Sequence, residues 1–77
     1  MALIHITREE LQGLRENYPP GCRVELIEMP CEPRIDMIPG LRGTVAFVDD
    51  AGGIHVHWEN GSSLAAIYGV DKIKRID

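Results

Sequence analysis

The sequence predicts a mainly β fold, a small five-stranded barrel with a short N-terminal α-helix. Three observations carry that expectation. Residues 39–77 hold short alternating segments separated by two strong turn signals, Asp49-Asp50-Ala51-Gly52-Gly53 and Asn60-Gly61. Prolines at 19, 20, 30, 33 and 39 confine regular strands to the stretches between them. A helix-start pattern stands only near the N-terminus, at Thr7.

The helix is justified first. Thr7 is the N-cap, and Glu10 three residues on completes a capping box. Ile6 and Leu11 stand at the two positions of a hydrophobic staple. Leu11, Leu14 and Tyr18 recur at i, i+3 and i+7, one helical stripe. Gly13 costs about 1 kcal/mol against alanine, so the helix depends on packing. It must stop before Tyr18-Pro19-Pro20-Gly21, because a residue preceding proline disfavours the α region. Residues 1–20 are thus a helix and a Pro-Pro linker, and residues 21–77 the barrel.

The first strand alternates Val24 and Leu26 with Arg23 and Glu25. Ile27 and Met29 fall on the other parity, so this strand is covered on both faces or bulged. Residues 30–40 form a long loop. Its apolar Ile35, Met37 and Ile38 fold back onto the barrel or face a partner, and folding back is the preferred reading. The second strand is expected over 43–48, the third over 54–59, the fourth over 63–67 and the fifth over 72–76. A single turn over 68–71 links the last two.

Asn60-Gly61 also predicts a register, because a type I′ turn closes a two-residue hairpin. Glu59 then faces Ser62, Trp58 faces Ser63, Val56 faces Ala65 and Ile54 faces Ile67. Large residues meet small ones along this pair, as a tightly curved interior requires. The opposite face carries His55, His57 and Glu59 beside Leu64, Ala66 and Tyr68. Apolar residues there need a cover, either the helix stripe or a second protein, and such patches mark interfaces.

Length and charge bound the function. A chain of 77 residues makes one domain that buries only about 60% of its unfolded surface, which disfavours a deep active site. The formal net charge is −4. Of the basic residues only Lys72, Lys74 and Arg75 cluster, between Asp71 and Asp77. That balance weighs against nucleic acid. The start of the chain has no secretory pattern and no run long enough to span a membrane, so a cytoplasmic location with free thiols is expected.

Three segments carry a resemblance: Tyr18-Pro-Pro-Gly-Cys-Arg-Val-Glu-Leu, then Pro39-Gly-Leu-Arg-Gly-Thr-Val, then Val48-Asp-Asp-Ala-Gly-Gly-Ile-His-Val-His-Trp-Glu-Asn-Gly-Ser-Ser-Leu. From Tyr18 to the C-terminus the chain resembles a small bacterial family of domains of unknown function, often encoded on phages and conjugative elements. The resemblance implies an SH3-like barrel and brings no catalytic or binding residues. Gly43-Thr44-Val45 and Val56-His-Trp58-Glu-Asn60-Gly61 are also similar to the Mind-bomb/HERC-type domain, whose likeness implies peptide binding by analogy.

The chemistry-bearing residues favour binding over catalysis. His55 and His57 with Cys22 and Cys31 contain two histidines and two cysteines. Neither the C-x₂₋₄-C nor the H-x₃₋₅-H spacing of a zinc site is present, so no metal is expected. No base is placed beside either cysteine and no glycine-rich loop precedes a helix, so neither an enzyme nor a cofactor is expected. Trp58 shares parity with Ile54 and Val56 and reads as core. The expected function is therefore a non-enzymatic protein- or peptide-binding module using His55, His57, Leu64 and Tyr68, or the 30–40 loop. Two alternatives remain: a single-strand nucleic-acid binder using Arg42, Lys72, Lys74 and Arg75, and a structural homo-oligomer.

Overall fold

The computed structural model describes residues 6–30, 32 and 35–77. One helix, α1 (Arg8–Asn17), precedes five strands: β1 (Arg23–Glu28), β2 (Arg42–Val48), β3 (Gly53–Trp58), β4 (Ala65–Ile67) and β5 (Lys72–Arg75). They form one antiparallel sheet in the order β4-β3-β2-β1-β5. The two edges, β4 and β5, are consecutive in the chain but are not ladder partners, so the sheet stays open along a seam between them.

The helix starts as its sequence requires. Thr7 Oγ1 accepts from the Glu10 N–H at 3.0 Å, and Glu10 Oε1 accepts from the Thr7 N–H at 2.9 Å. Leu14 is buried, and Leu11 and Tyr18 pack against the same core. Arg15 ties the helix to the β2–β3 turn by donating to the Val48 carbonyl and to Asp50.

The core lies on one face of the sheet. It is built from Val24 and Leu26 of β1, Val45 and Val48 of β2, Ile54, Val56 and Trp58 of β3, and Ala66 of β4. Trp58 is buried, and its indole N–H donates to the Leu64 carbonyl at 2.9 Å. β1 is bulged after Leu26: Leu26 pairs with Ile73, but Glu28 pairs with Lys72. The extra residue resolves the parity conflict of the first strand, leaving Ile27 exposed and bringing Met29 against the core. The following loop divides its apolar residues. Met37 is buried, whereas Ile35 and Ile38 are exposed.

One expectation is corrected. β4 spans Ala65–Ile67 rather than 63–67, and its register differs by one residue. Ile54 faces Ala66 and His55 faces Ala65, not Ile54 Ile67 and Val56 Ala65. The turn explains the slip. A type I′ turn needs positive φ at both central residues, but here Gly61 is at φ +89° and, among the described residues, no non-glycine has positive φ. Gly61 N–H donates to the Trp58 carbonyl, and Trp58 N–H donates to the Ser62 carbonyl. The loop therefore has three residues, Glu59-Asn60-Gly61, with glycine in the left-handed position.

Candidate functional site

That one-residue slip exchanges the faces of β4, because side chains alternate along a strand. Leu64, Ala66 and Tyr68 join the core side, and Ala65 and Ile67 turn outward. The predicted face of His55, His57, Leu64 and Tyr68 is thus not one surface. His55 and His57 stand on the outer face, and Leu64 and Tyr68 pack against the core beneath it.

The outer face is largely self-satisfied. Phe47 and His55 stack with ring centroids 4.3 Å apart and planes 8° from parallel. His55 Nε2 lies 2.8 Å from Asp49 Oδ2, while Asp49 Oδ1 accepts from the Ala51 and Gly53 N–H groups. The His55 hydrogen bond, followed by the Gly53 amide, holds the Asp49 carboxyl below its ordinary range. Glu25 sits between Arg42 at 3.4 Å and Lys74 at 3.5 Å, and Glu59 pairs with Arg23. Lys72 lies 3.8 Å from Glu28, and Arg75 lies 2.7 Å from Asp77. Every basic residue named as a nucleic-acid carrier thus has a carboxylate beside it. Among the described residues no three metal-ligating side chains gather. Cys22 is a buried free thiol whose pKa burial pushes up, and Cys31 lies outside the described residues.

The open feature of the molecule is the seam. β4 is only three residues long, and the chain then leaves the β3 edge in a tight turn. The Ile67 carbonyl accepts from both the Val70 and Asp71 N–H groups, and Gly69 takes φ +82°. Asp71 Oδ2 accepts from the Ile67 N–H at 2.8 Å, which blocks one donor on the free edge of β4. The turn carries the chain across to β5 and leaves a cavity of about 520 Å³ between the two edges. Ile54, Ala66, Ile67 and Tyr68 line it from one side, Ile27 and Ile73 from the other, with Tyr18, Val70 and Lys72 around them.

Tyr68 links this cavity to the helix. Its hydroxyl donates to Glu10 Oε2 at 2.6 Å. The bond pushes the Tyr68 pKa up and, as the largest cause, holds the Glu10 carboxyl below its usual range. Glu10 thereby serves the helix cap with one oxygen and the cavity rim with the other.

Of the face His55, His57, Leu64 and Tyr68 expected from sequence, only Tyr68 lines the cavity, and of the basic residues named for nucleic acid Lys72 lines it. Tyr18, Val70 and Ile73 were readable as apolar, but as a helix-stripe residue, a turn residue and a strand residue. The available signal was the apolar run around Gly69 (Ile67, Tyr68, Val70, Ile73), too dense for a solvated turn.

No described helix is long and apolar enough to cross a membrane. No curated protein and no solved structure matches this chain. The model of one family, the domain of unknown function DUF4314, matches residues 7–76, and the chain belongs to that family.

Proposed function

We propose that this chain is a small non-enzymatic binding module that takes an apolar side chain of a protein or peptide into the seam cavity. One observation carries the reading: an open cavity of about 520 Å³, walled mainly by Ile54, Ala66, Ile67, Val70 and Ile73, with Tyr18 and Tyr68 among its lining residues. Its size falls in the range of ligand pockets, which are roughly 300–1,000 Å³ and mostly apolar with a few polar groups. Aromatic-lined grooves of this kind suit extended peptides. The strand order, with a turn joining the two sheet edges, supports an SH3-like barrel parted along one seam. The resemblance of the three sequence segments supports a bacterial, mobile-element setting, and the free Cys22 thiol agrees with a reducing cytosol.

Selection from a displayed random-peptide library tests the proposal. Selected peptides are expected to lose at least about tenfold in affinity, roughly 1.4 kcal/mol, on Val70→Asp and on Ile67→Asp. Both residues stand outside the buried core, so each variant is expected to keep its circular dichroism spectrum. His57→Ala is expected to bind unchanged. Binders that tolerate both cavity variants but are lost on His57→Ala would overturn the proposal.

A further inference from the structure

A strand can pair through its backbone on two sides, and β5 uses one. The Ile76 N–H donates to the Arg23 carbonyl, and Lys74 pairs with Glu25. Leu26, opposite Ile73, turns its backbone the other way: its N–H donates to the Leu41 carbonyl and its carbonyl accepts from the Gly40 N–H. By the alternation of an antiparallel ladder, Ile73 and Arg75 therefore point their N–H and C=O groups away from β1. β5 is an edge of the sheet, and among the described residues no strand pairs with that side. The opposite edge is closed at the matching place. The Tyr68 N–H donates to the Gly52 carbonyl on β3, so Ile67 turns its backbone outward. There its N–H is held by Asp71 Oδ2, and its carbonyl by the Val70 and Asp71 N–H groups. Ile73 also lines the main cavity, so the open half of a ladder and the apolar cavity meet at one residue.

On the reading that the seam binds protein, we infer that its occupant is an extended segment that adds to the free edge of β5 as a sixth strand, with apolar residues alternating with acidic ones. Backbone bonds to Ile73 and Arg75 supply affinity, and the cavity beside Ile73 selects the side chain. Successive side chains of a strand point to opposite faces, so every second residue of the segment meets the cavity side. The residues between them share the face of Lys74, whose own carboxylate partner, Glu25, lies one strand inward on β1. A glutamate or aspartate on the added strand stands on the open side of that cation. A second copy of β5 is a poor added strand. Pairing its Ile73 with Ile73 or with Arg75 would set lysine opposite lysine, which is destabilising.

An acetylated, amidated hexapeptide of alternating leucine and glutamate tests the inference. Binding is followed by the methyl NMR signals of Ile67, Val70 and Ile73. Two further peptides are N-methylated, one at its three leucines and the other at its three glutamates. In a paired strand only one of these sets faces the ladder, the leucines if the added strand is antiparallel and the glutamates if it is parallel. One methylated peptide is therefore expected to lose at least about tenfold in affinity, and the other to stay within about threefold of the parent. Exchange of the Ile73 and Arg75 amide protons is expected to slow on binding the parent peptide. Equal effects of the two methylated sets, or no effect of either, would overturn strand addition and leave the cavity as a side-chain site. A peptide with lysine in place of each glutamate is expected to bind at least about threefold more weakly, and an equal affinity would overturn the charge assignment alone. If no peptide moves any cavity methyl signal, the seam itself is not the binding site and both readings fall.

Discussion

Gly43 of β2 lies tightly against β3, opposite Trp58. A Cβ there would lie 2.6 Å from Val56 Cγ1 and 2.7 Å from the His57 carbonyl oxygen. The second neighbour is backbone and cannot turn aside. Gly43→Ala is therefore expected to destabilise the fold by about 1–3 kcal/mol, read as a lower urea midpoint. The Tyr68–Glu10 bond supports a second prediction at this scale. Tyr68→Phe removes the largest cause of the depressed Glu10 pKa, so the Glu10 carboxyl should titrate closer to its ordinary value by NMR. The signs define a pH window. Glu10 contributes stability above its unfolded pKa and loses it as pH falls through the lower folded value. Tyr68 contributes below its unfolded pKa, near 10, and loses it as pH rises through its raised folded value. Residues whose roles depend on near neighbours were legible in the sequence. Thr7 and Glu10 announce their cap because the partners are three positions apart, and Trp58 reads as core from Ile54 and Val56 on its own strand. Glu10's second partner, 58 positions away, was not legible.

At the scale of elements, the existence and order of α1 and β1 to β5 follow from periodicity and turn residues. The pairing of β3 with β4 does not. Asn-Gly permits either a two-residue loop with Asn60 left-handed or a three-residue loop with Gly61 alone left-handed. The choice shifts every pair by one. It explains why Leu64 and Tyr68 were assigned to the wrong side of the sheet while His55 and His57 were placed correctly. The observed register predicts a cross-strand Hα–Hα contact between His55 and Ala65, since the bonded Gly52–Tyr68 and Trp58–Ser62 pairs make this a close, non-hydrogen-bonded pair. A nuclear Overhauser effect between Val56 and Ala65 Hα atoms would instead establish the two-residue loop. The helix is tested by Thr7→Ala, which removes one half of the capping box and should cost about 1 kcal/mol by urea unfolding.

At the scale of the molecule, the candidate site follows from two sheet edges that do not pair. Strand order places β4 and β5 at opposite edges, and a four-residue connection, 68–71, brings those edges near one another without pairing them. Side chains from both edges, from β1 and β3 beside them, from Tyr18 at the helix C-cap and from one turn then wall a cavity that no single segment contains. Sequence periodicity describes each element in isolation and is silent on a gap between two edges. The outer face, which drew attention through its histidines, is instead occupied by its own contacts: the Phe47–His55 stack, the Asp49–His55 bond and the Glu25 ion pairs. Pairs whose basic partner is exposed, as Arg42 and Lys74 are, contribute roughly 0–1 kcal/mol each, so Glu25→Gln should change stability little. The most direct measurement of the central claim is a titration of the protein with indole, a neutral apolar probe, followed by methyl and amide NMR. Saturable shifts at Ile54, Ala66, Val70 and Ile73, with Phe47 and His57 unmoved, are the predicted result. Saturable shifts confined to Phe47, His55 and His57, or none at the cavity methyls, would contradict it.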